Sequence, residues 1–194
     1  MTNANRYWAF LSYSHQDVAW ADWLFVELEN FYVPRKLRKL DIGSHLRPVF
    51  RDREELAASA DLTGHIKEAM EGSKVLIVLC SPSAANSKWV NEEIKLFKSM
   101  GRTERILPLI IDGEPNAYYS TGSNNSECFP PALRYTITSK GEMTTQPEQA
   151  FVAADARPGK DGKENAVMKI VAGILEVPLG ELRRAKSGLG RLLG

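Results

Sequence analysis

The sequence has few of the features that mark secreted, membrane-bound or nucleic-acid-binding proteins. Its 194 residues include only two cysteines, too few for a disulfide framework. There are 25 basic and 24 acidic residues, and the resulting net charge of +1 gives no electrostatic basis for binding nucleic acid or a membrane. The longest apolar run, residues 75–80, is far short of the roughly 20 residues that cross a bilayer. The first residues are polar and lack a signal-peptide core, so we expect a cytoplasmic protein.

Several catalytic motifs are also missing. No glycine-rich phosphate loop and no GxGxxG follows the first apolar segment. None of the three histidines, His15, His45 and His65, accompanies a nucleophile elbow, which argues against a serine hydrolase. No cysteine or histidine spacing is typical of a metal site, so we expect neither a metal nor a bound cofactor. Cys80 lies in an apolar run and is expected to be a buried thiol.

What is present is an alternation of short apolar strands and amphipathic helices. The strands are predicted at residues 7–14, 48–50, 74–80, 105–111 and 151–154. The helices are predicted after Asp17 as far as Pro34 and at residues 63–71, 88–100, 162–177 and 179–185. The continuous run Val-Leu-Ile-Val-Leu is typical of a parallel strand covered on both faces. The pattern therefore predicts an α/β domain with a parallel sheet between two helical layers.

One long segment departs from this alternation. Residues 114–149 are rich in serine, asparagine, threonine, glycine and proline and have little apolar periodicity. We expect an irregular segment with short helical turns, packed by Tyr118, Tyr119, Phe129 and Leu133. It is placed inside a single domain spanning residues 1–180. Residues 181–194 are predicted to be a C-terminal helix and linker, or a truncation point.

Candidate functional residues are sought where parallel strands end, because ligands bind at the carboxyl edge of such sheets. The turn after the first strand, residues 12–17, could hold an anion or a ribose at a helix start. The simpler interpretation is that Ser14 and Asp17 cap the helix. Four residues separate Trp89 from Glu93, so they share a helix face, whereas Glu92 points elsewhere. Without further information, Glu93 is more simply a solvated charge.

Several motifs, taken together, resemble TIR domains. The segment Ala-Phe-Leu-Ser-Tyr-Ser from Ala9, followed by Asp17, is similar to their first strand and turn. Val-Phe-Arg-Asp, from Val49, resembles their second strand and the loop after it. Residues 75–82 and 87–94 resemble their third strand and third helix, and residues 106–111 their fourth strand. The resemblance covers residues 7–177, is closest to bacterial members, and implies a flavodoxin-like, doubly wound, five-stranded parallel sheet of order 2-1-3-4-5.

The resemblance also implies an activity. Bacterial and plant TIR domains cleave NAD+ at the nicotinamide–ribose bond, and some cyclise the ADP-ribose product for immune or antiphage signalling. Their catalytic glutamate corresponds by motif position to Glu93. The substrate-binding residues implied are Trp89, Ser12, Tyr13, Ser14, Arg51 and Asp52. NAD+ is then substrate rather than cofactor, and head-to-tail TIR–TIR self-association is expected, with no nucleic acid or membrane partner. The alternative is a non-catalytic TIR–TIR scaffold.

Overall fold

The computed structural model describes residues 6–38, 43–51, 60–121 and 126–190. At its centre is a five-stranded parallel sheet of order β2-β1-β3-β4-β7, and a separate antiparallel hairpin is formed by β5 and β6. The strands are β1 Tyr7–Ser12, β2 Phe50–Arg51, β3 Ser73–Cys80, β4 Ile106–Ile110, β5 Tyr135–Ile137, β6 Met143–Pro147 and β7 Ala154–Asp155. The predicted order 2-1-3-4-5 is confirmed, with β7 as the fifth strand of the sheet.

Helices cover both faces of the sheet, as predicted. They are α1 Val18–Glu29, α2 Ala60–Glu71, α3 Pro82–Ala85, α4 Lys88–Ser99, α5 Ala117–Thr121, α6 Pro131–Arg134, α7 Gly162–Leu175 and α8 Leu179–Gly190. Side chains of β3 alternate between two cores: Val75, Ile77 and Leu79 pack with α1, α7 and α8. Leu76, Val78 and Cys80 pack with α2, α4 and α6. This two-sided burial explains the uninterrupted apolar run of β3.

Local sequence accounts for the ends of α4 and for the packing of α7 on the sheet. Ser87 caps α4, its hydroxyl accepting the amide of Val90 at 3.3 Å. Just beyond the helix, Gly101 adopts a left-handed φ of 71° that favours glycine. In α7, Gly173 lies so close to β4 that a Cβ there would approach the Leu107 side chain to 2.8 Å. Glycine therefore permits the contact between α7 and the sheet.

The structure differs from the predicted boundaries in several places. The first strand ends at Ser12, and the strand predicted at residues 151–154 begins three residues later, at Ala154. Between β3 and α4, where no helix was predicted, the structure has the short helix α3. The last helix extends beyond residue 185 to Gly190, and its Leu182 is fully buried in the core. None of the helices in the described ranges is long and apolar enough to cross a membrane.

The irregular segment contains more order than expected. Its predicted helical turns are α5 and α6, but the hairpin of β5 and β6 was not predicted. β6 is polar and largely exposed, and β5 is half-buried but only three residues long, so neither strand was marked by a recognisable apolar alternation. Phe129 and Leu133 are buried as predicted. Tyr118 and Tyr119 are partly exposed, and Tyr118 contacts Arg134 within the same segment.

Candidate active site

The loops after β1 and β3 enclose an open cavity of about 570 Å³ at the carboxyl edge of the sheet. The first loop contributes Ser14, His15 and Gln16 to the cavity wall, and the segment after β3 contributes residues that include Ser83 of α3, Ser87 and Trp89 of α4. Both loops emerge at this edge because β1 and β3 are adjacent and parallel. The cavity thus lies where ligands bind in open α/β sheets.

Two side-chain hydrogen bonds join these loops. The Ser81 hydroxyl donates to Asp17 at 2.6 Å and accepts the amide of Ala84 at 3.0 Å, which caps α3. The Ser83 hydroxyl donates to Gln16 at 2.7 Å. The two loops are therefore held in a defined relation by hydrogen bonds between residues more than 60 positions apart in the sequence.

The structure also corrects the capping interpretation of the first loop. A 3-10 helix, His15–Asp17, leads directly into α1, and neither Ser14 nor Asp17 caps a helix through its side chain. Asp17 has a φ of −98° and a ψ of 14°, not the extended backbone of a helix cap, and its carboxylate bonds to Ser81 instead. Burial raises the pKa of Asp17, and repulsion by Asp112 adds to this, against the lowering effect of the Ser81 hydrogen bond.

Glu93 lies on α4 and is nearly buried, with 5% of its surface exposed. Its carboxylate accepts a hydrogen bond from the hydroxyl of Ser12, a fully buried residue at the end of β1. Strand alternation explains the contact: Phe10 packs in the core layer that contains α4, and Ser12, two residues on, faces the same side. A carboxylate is therefore held in place at the carboxyl edge, one helical turn from the cavity residue Trp89.

Trp89 and Glu92 differ from Glu93 in their surroundings. Trp89 has 44% of its surface exposed and lines the cavity, so its ring is accessible to a flat ligand. The carboxylate of Glu92 is exposed and pairs with Lys95 at 2.8 Å on the solvent side of α4. The prediction from helical register that Glu92 points away from Glu93 is confirmed.

The remaining predicted site residues do not all converge on Glu93. Arg51 pairs in register with Leu11, so its side chain lies on the opposite sheet face from Ser12. There it forms an ion pair with Asp22 and lies over the ring of Phe25, with 4.9 Å between guanidinium and ring centre. Tyr13 packs against the same core layer as Leu11. The predicted site residue Asp52 lies outside the described residues.

Sequence reasoning missed the residues that fix the segment next to α4. The carboxylate of Glu127, almost fully buried, accepts the backbone amides of Asn116, Tyr118 and Phe129 at 2.8–3.2 Å. Asn91 of α4 accepts the amide of Ala132 at 2.8 Å, which ties α6 to α4. The sequence signal here is the motif Glu-Cys-Phe-Pro from Glu127, which resembles bacterial TIR proteins.

Neither cysteine is suited to nucleophilic chemistry. Both are buried and free, as predicted for Cys80. Burial raises the pKa of Cys128 to about 12 and that of Cys80 above its usual range. At neutral pH both are therefore thiols rather than reactive thiolates. Within the described ranges, no three histidine, cysteine or acidic side chains come together as a possible metal site.

Comparisons with known proteins agree with this architecture. A family model described as "TIR domain" matches residues 9–129, more than half of the chain. Over 136 residues the chain is 39% identical to a protein of Actinoplanes sp. named NAD(+) hydrolase ApTIR. That match covers 66% of this chain but 18% of the relative, so the chain spans about a fifth of that protein's length.

A solved structure shares the fold. The TIR domains of the activated Roq1 resistosome that recognizes the pathogen effector XopQ superpose with a TM-score of 0.53 at 19% identity. The match covers 86% of this chain and 98% of the other.

Proposed function

The chain belongs to the TIR-domain family, and on that basis we propose that it cleaves NAD+ at the bond between nicotinamide and ribose. The observation that carries the proposal is the position of Glu93. A nearly buried carboxylate, hydrogen-bonded by Ser12, lies at the carboxyl edge of the sheet, one helical turn from an exposed tryptophan that lines an open cavity. The name of the Actinoplanes relative, an NAD(+) hydrolase, supports the same substrate.

The chemistry needs little besides a placed carboxylate. Nicotinamide in NAD+ is attached through a cationic nitrogen, and when the C1′–N bond breaks its electron pair returns to that nitrogen. Nicotinamide leaves neutral, so no general acid is required. Positive charge develops on the ribose, and Glu93 would stabilise it at short range. Water then attacks C1′ and loses a proton, which yields ADP-ribose. A nucleophile within the same molecule would instead yield a cyclic isomer.

We assign different roles to the residues around Glu93. Trp89 would stack on a flat ring of the nucleotide, and Ser14 would contact its polar groups from the cavity wall. Ser12 is fully buried against Glu93, so we revise its role from substrate contact to positioning of the carboxylate. Arg51 would stabilise β2 and α1 from the other sheet face. Tyr13 and Asp52 remain predicted substrate residues.

We further propose that the reaction uses no metal or cofactor, with NAD+ as substrate, and that self-association promotes it. Glu93 is nearly buried in a single copy of the chain, so a conformational change has to expose it to substrate. We propose that this change accompanies self-association. The biological setting that we propose, from the family resemblance, is cytoplasmic antiphage signalling in bacteria.

Mass spectrometry of NAD+ incubated with the protein tests this function. We expect nicotinamide together with ADP-ribose or a cyclic isomer, and a specific activity that rises with protein concentration. The products would also distinguish hydrolysis from cyclisation. If no nicotinamide forms even in concentrated, self-associated protein, the proposal fails and the scaffold alternative is favoured.

A further inference from the structure

A second cavity, of about 150 Å³, lies in the segment between β4 and β7. It shares no lining residue with the cavity beside Trp89. Its apolar wall includes Phe129, Leu133 and Phe151, and its polar groups include Arg134 and Glu148. The volume is several times that needed for one water molecule but far below that of the first cavity. The space therefore suits a small ligand and not a dinucleotide.

Arg134 is the unusual group in this wall. Its Nε and Nη1 atoms are buried, and neither has a hydrogen-bond partner among the residues that the structure describes. The guanidinium lies 5.1 Å from the ring centre of Tyr118 and 5.8 Å from that of Tyr135. The ring faces attract the cation, but Nε and Nη1 have no oxygen acceptor among the described residues. Buried donors without acceptors are costly, so an acceptor brought by a ligand would be bound favourably once the guanidinium rotates to present these N–H groups to the cavity.

The acidic groups nearby are already engaged. Glu148 lines the cavity, but its carboxylate accepts Lys98 at 2.8 Å and the amide of Gln149 at 3.1 Å. The Lys98 side chain is almost fully buried in this ion pair. Glu127 uses its carboxylate on three backbone amides. Among the charged residues that line this cavity, Glu148 has an ion-pair partner, whereas Arg134 has none in the described part of the chain.

We propose that this cavity binds a small oxyanion, a phosphate or carboxylate group, through the guanidinium of Arg134. The planar donor set of arginine matches both groups. Phe129 and Phe151 would contact an apolar portion of the ligand. The site is separate from Glu93 and does not depend on cleavage of NAD+.

NMR titration of the folded, isotope-labelled chain tests the site with two probes, inorganic phosphate and acetate, at constant ionic strength set with chloride. We expect saturable shifts of the Arg134 Nε–H signal and of amides around the cavity. Arg134→Gln should weaken binding by about tenfold or more, because it removes a charged donor. Arg105→Gln, at a partly exposed arginine outside the cavity, should leave binding unchanged.

Each outcome has a defined meaning. Saturation by phosphate, by acetate or by both supports the site and identifies which oxyanion it accepts. If neither probe gives saturable shifts, or if Arg134→Gln binds as well as the wild type, the proposal is overturned. If the glutamine variant does not fold, Arg134→Lys serves instead, since it keeps the charge but loses the planar donors and should still weaken binding. No NAD+ is present, so the result is independent of the proposed cleavage activity.

Discussion

Replacing Ser12 with alanine tests whether this residue positions Glu93. The substitution removes the hydroxyl that donates to the Glu93 carboxylate and leaves no exposed surface altered, because Ser12 is fully buried. Hydrogen bonds to charged groups contribute about 1.5–3 kcal/mol. If that energy holds the carboxylate in its reactive position, kcat should fall roughly ten- to 150-fold. KM should change much less, because Ser12 does not line the cavity.

A matched control is available on β3. Ser73 is also fully buried and also donates one hydrogen bond, to the carbonyl of Ala69 at 2.6 Å. It pairs with Tyr7 at the start of β1, about 16 Å along the strand from Ser12. Ser73→Ala should lower stability by about 1 kcal/mol but leave kcat unchanged. Steady-state nicotinamide release measures both variants. An unchanged kcat in Ser12→Ala, or an equal loss in Ser73→Ala, would refute the positioning role.

Three further changes probe other parts of the structure. Trp89→Ala should raise KM roughly five- to 150-fold, which corresponds to the loss of one base–aromatic stack. It should not lower the melting temperature, because Trp89 is 44% exposed. Burial raises the folded-state pKa of Asp17 above its usual value of 3.8. Ionisation of Asp17 as the pH rises above that value therefore lowers the free energy of unfolding. Asp17→Asn should therefore flatten the fall of melting temperature above about pH 4, and an undiminished slope would contradict this. Lys98→Met should destabilise by about 3 kcal/mol in denaturant unfolding, since it leaves Glu148 unpaired. The double variant Lys98→Met, Glu148→Leu should recover most of that loss, and no recovery would show that the ion pair is not the cause.

The central fold could be predicted because burial on two sides leaves a strong pattern. Every residue of β3 from Val75 to Cys80 is buried, which produces the uninterrupted apolar run. In α4, Val90, Ile94 and Phe97 recur at helical spacing because one face packs on the sheet. The β5–β6 hairpin meets the core through Ile137 of the three-residue β5, and β6 is polar and largely exposed, so the segment resembled a loop.

The candidate site was only partly predictable, because side-chain partners depend on tertiary contacts. Helical register separated Glu93 from Glu92, and strand ends indicated the edge of the sheet. The face on which Arg51 lies depends on its pairing with Leu11, and that register is not visible in the sequence. Asp17 has a side chain suited to helix capping, but its partner is Ser81, 64 residues away.

The most direct test of the proposed function compares Glu93→Gln with Glu92→Gln. The two glutamates are adjacent on α4, but Glu93 is nearly buried against Ser12, whereas Glu92 pairs with Lys95 at the surface. Mass spectrometry of NAD+ incubated with each folded variant at high protein concentration should show no nicotinamide release by Glu93→Gln and wild-type release by Glu92→Gln. Wild-type release by Glu93→Gln would contradict the assignment of Glu93 as the catalytic residue.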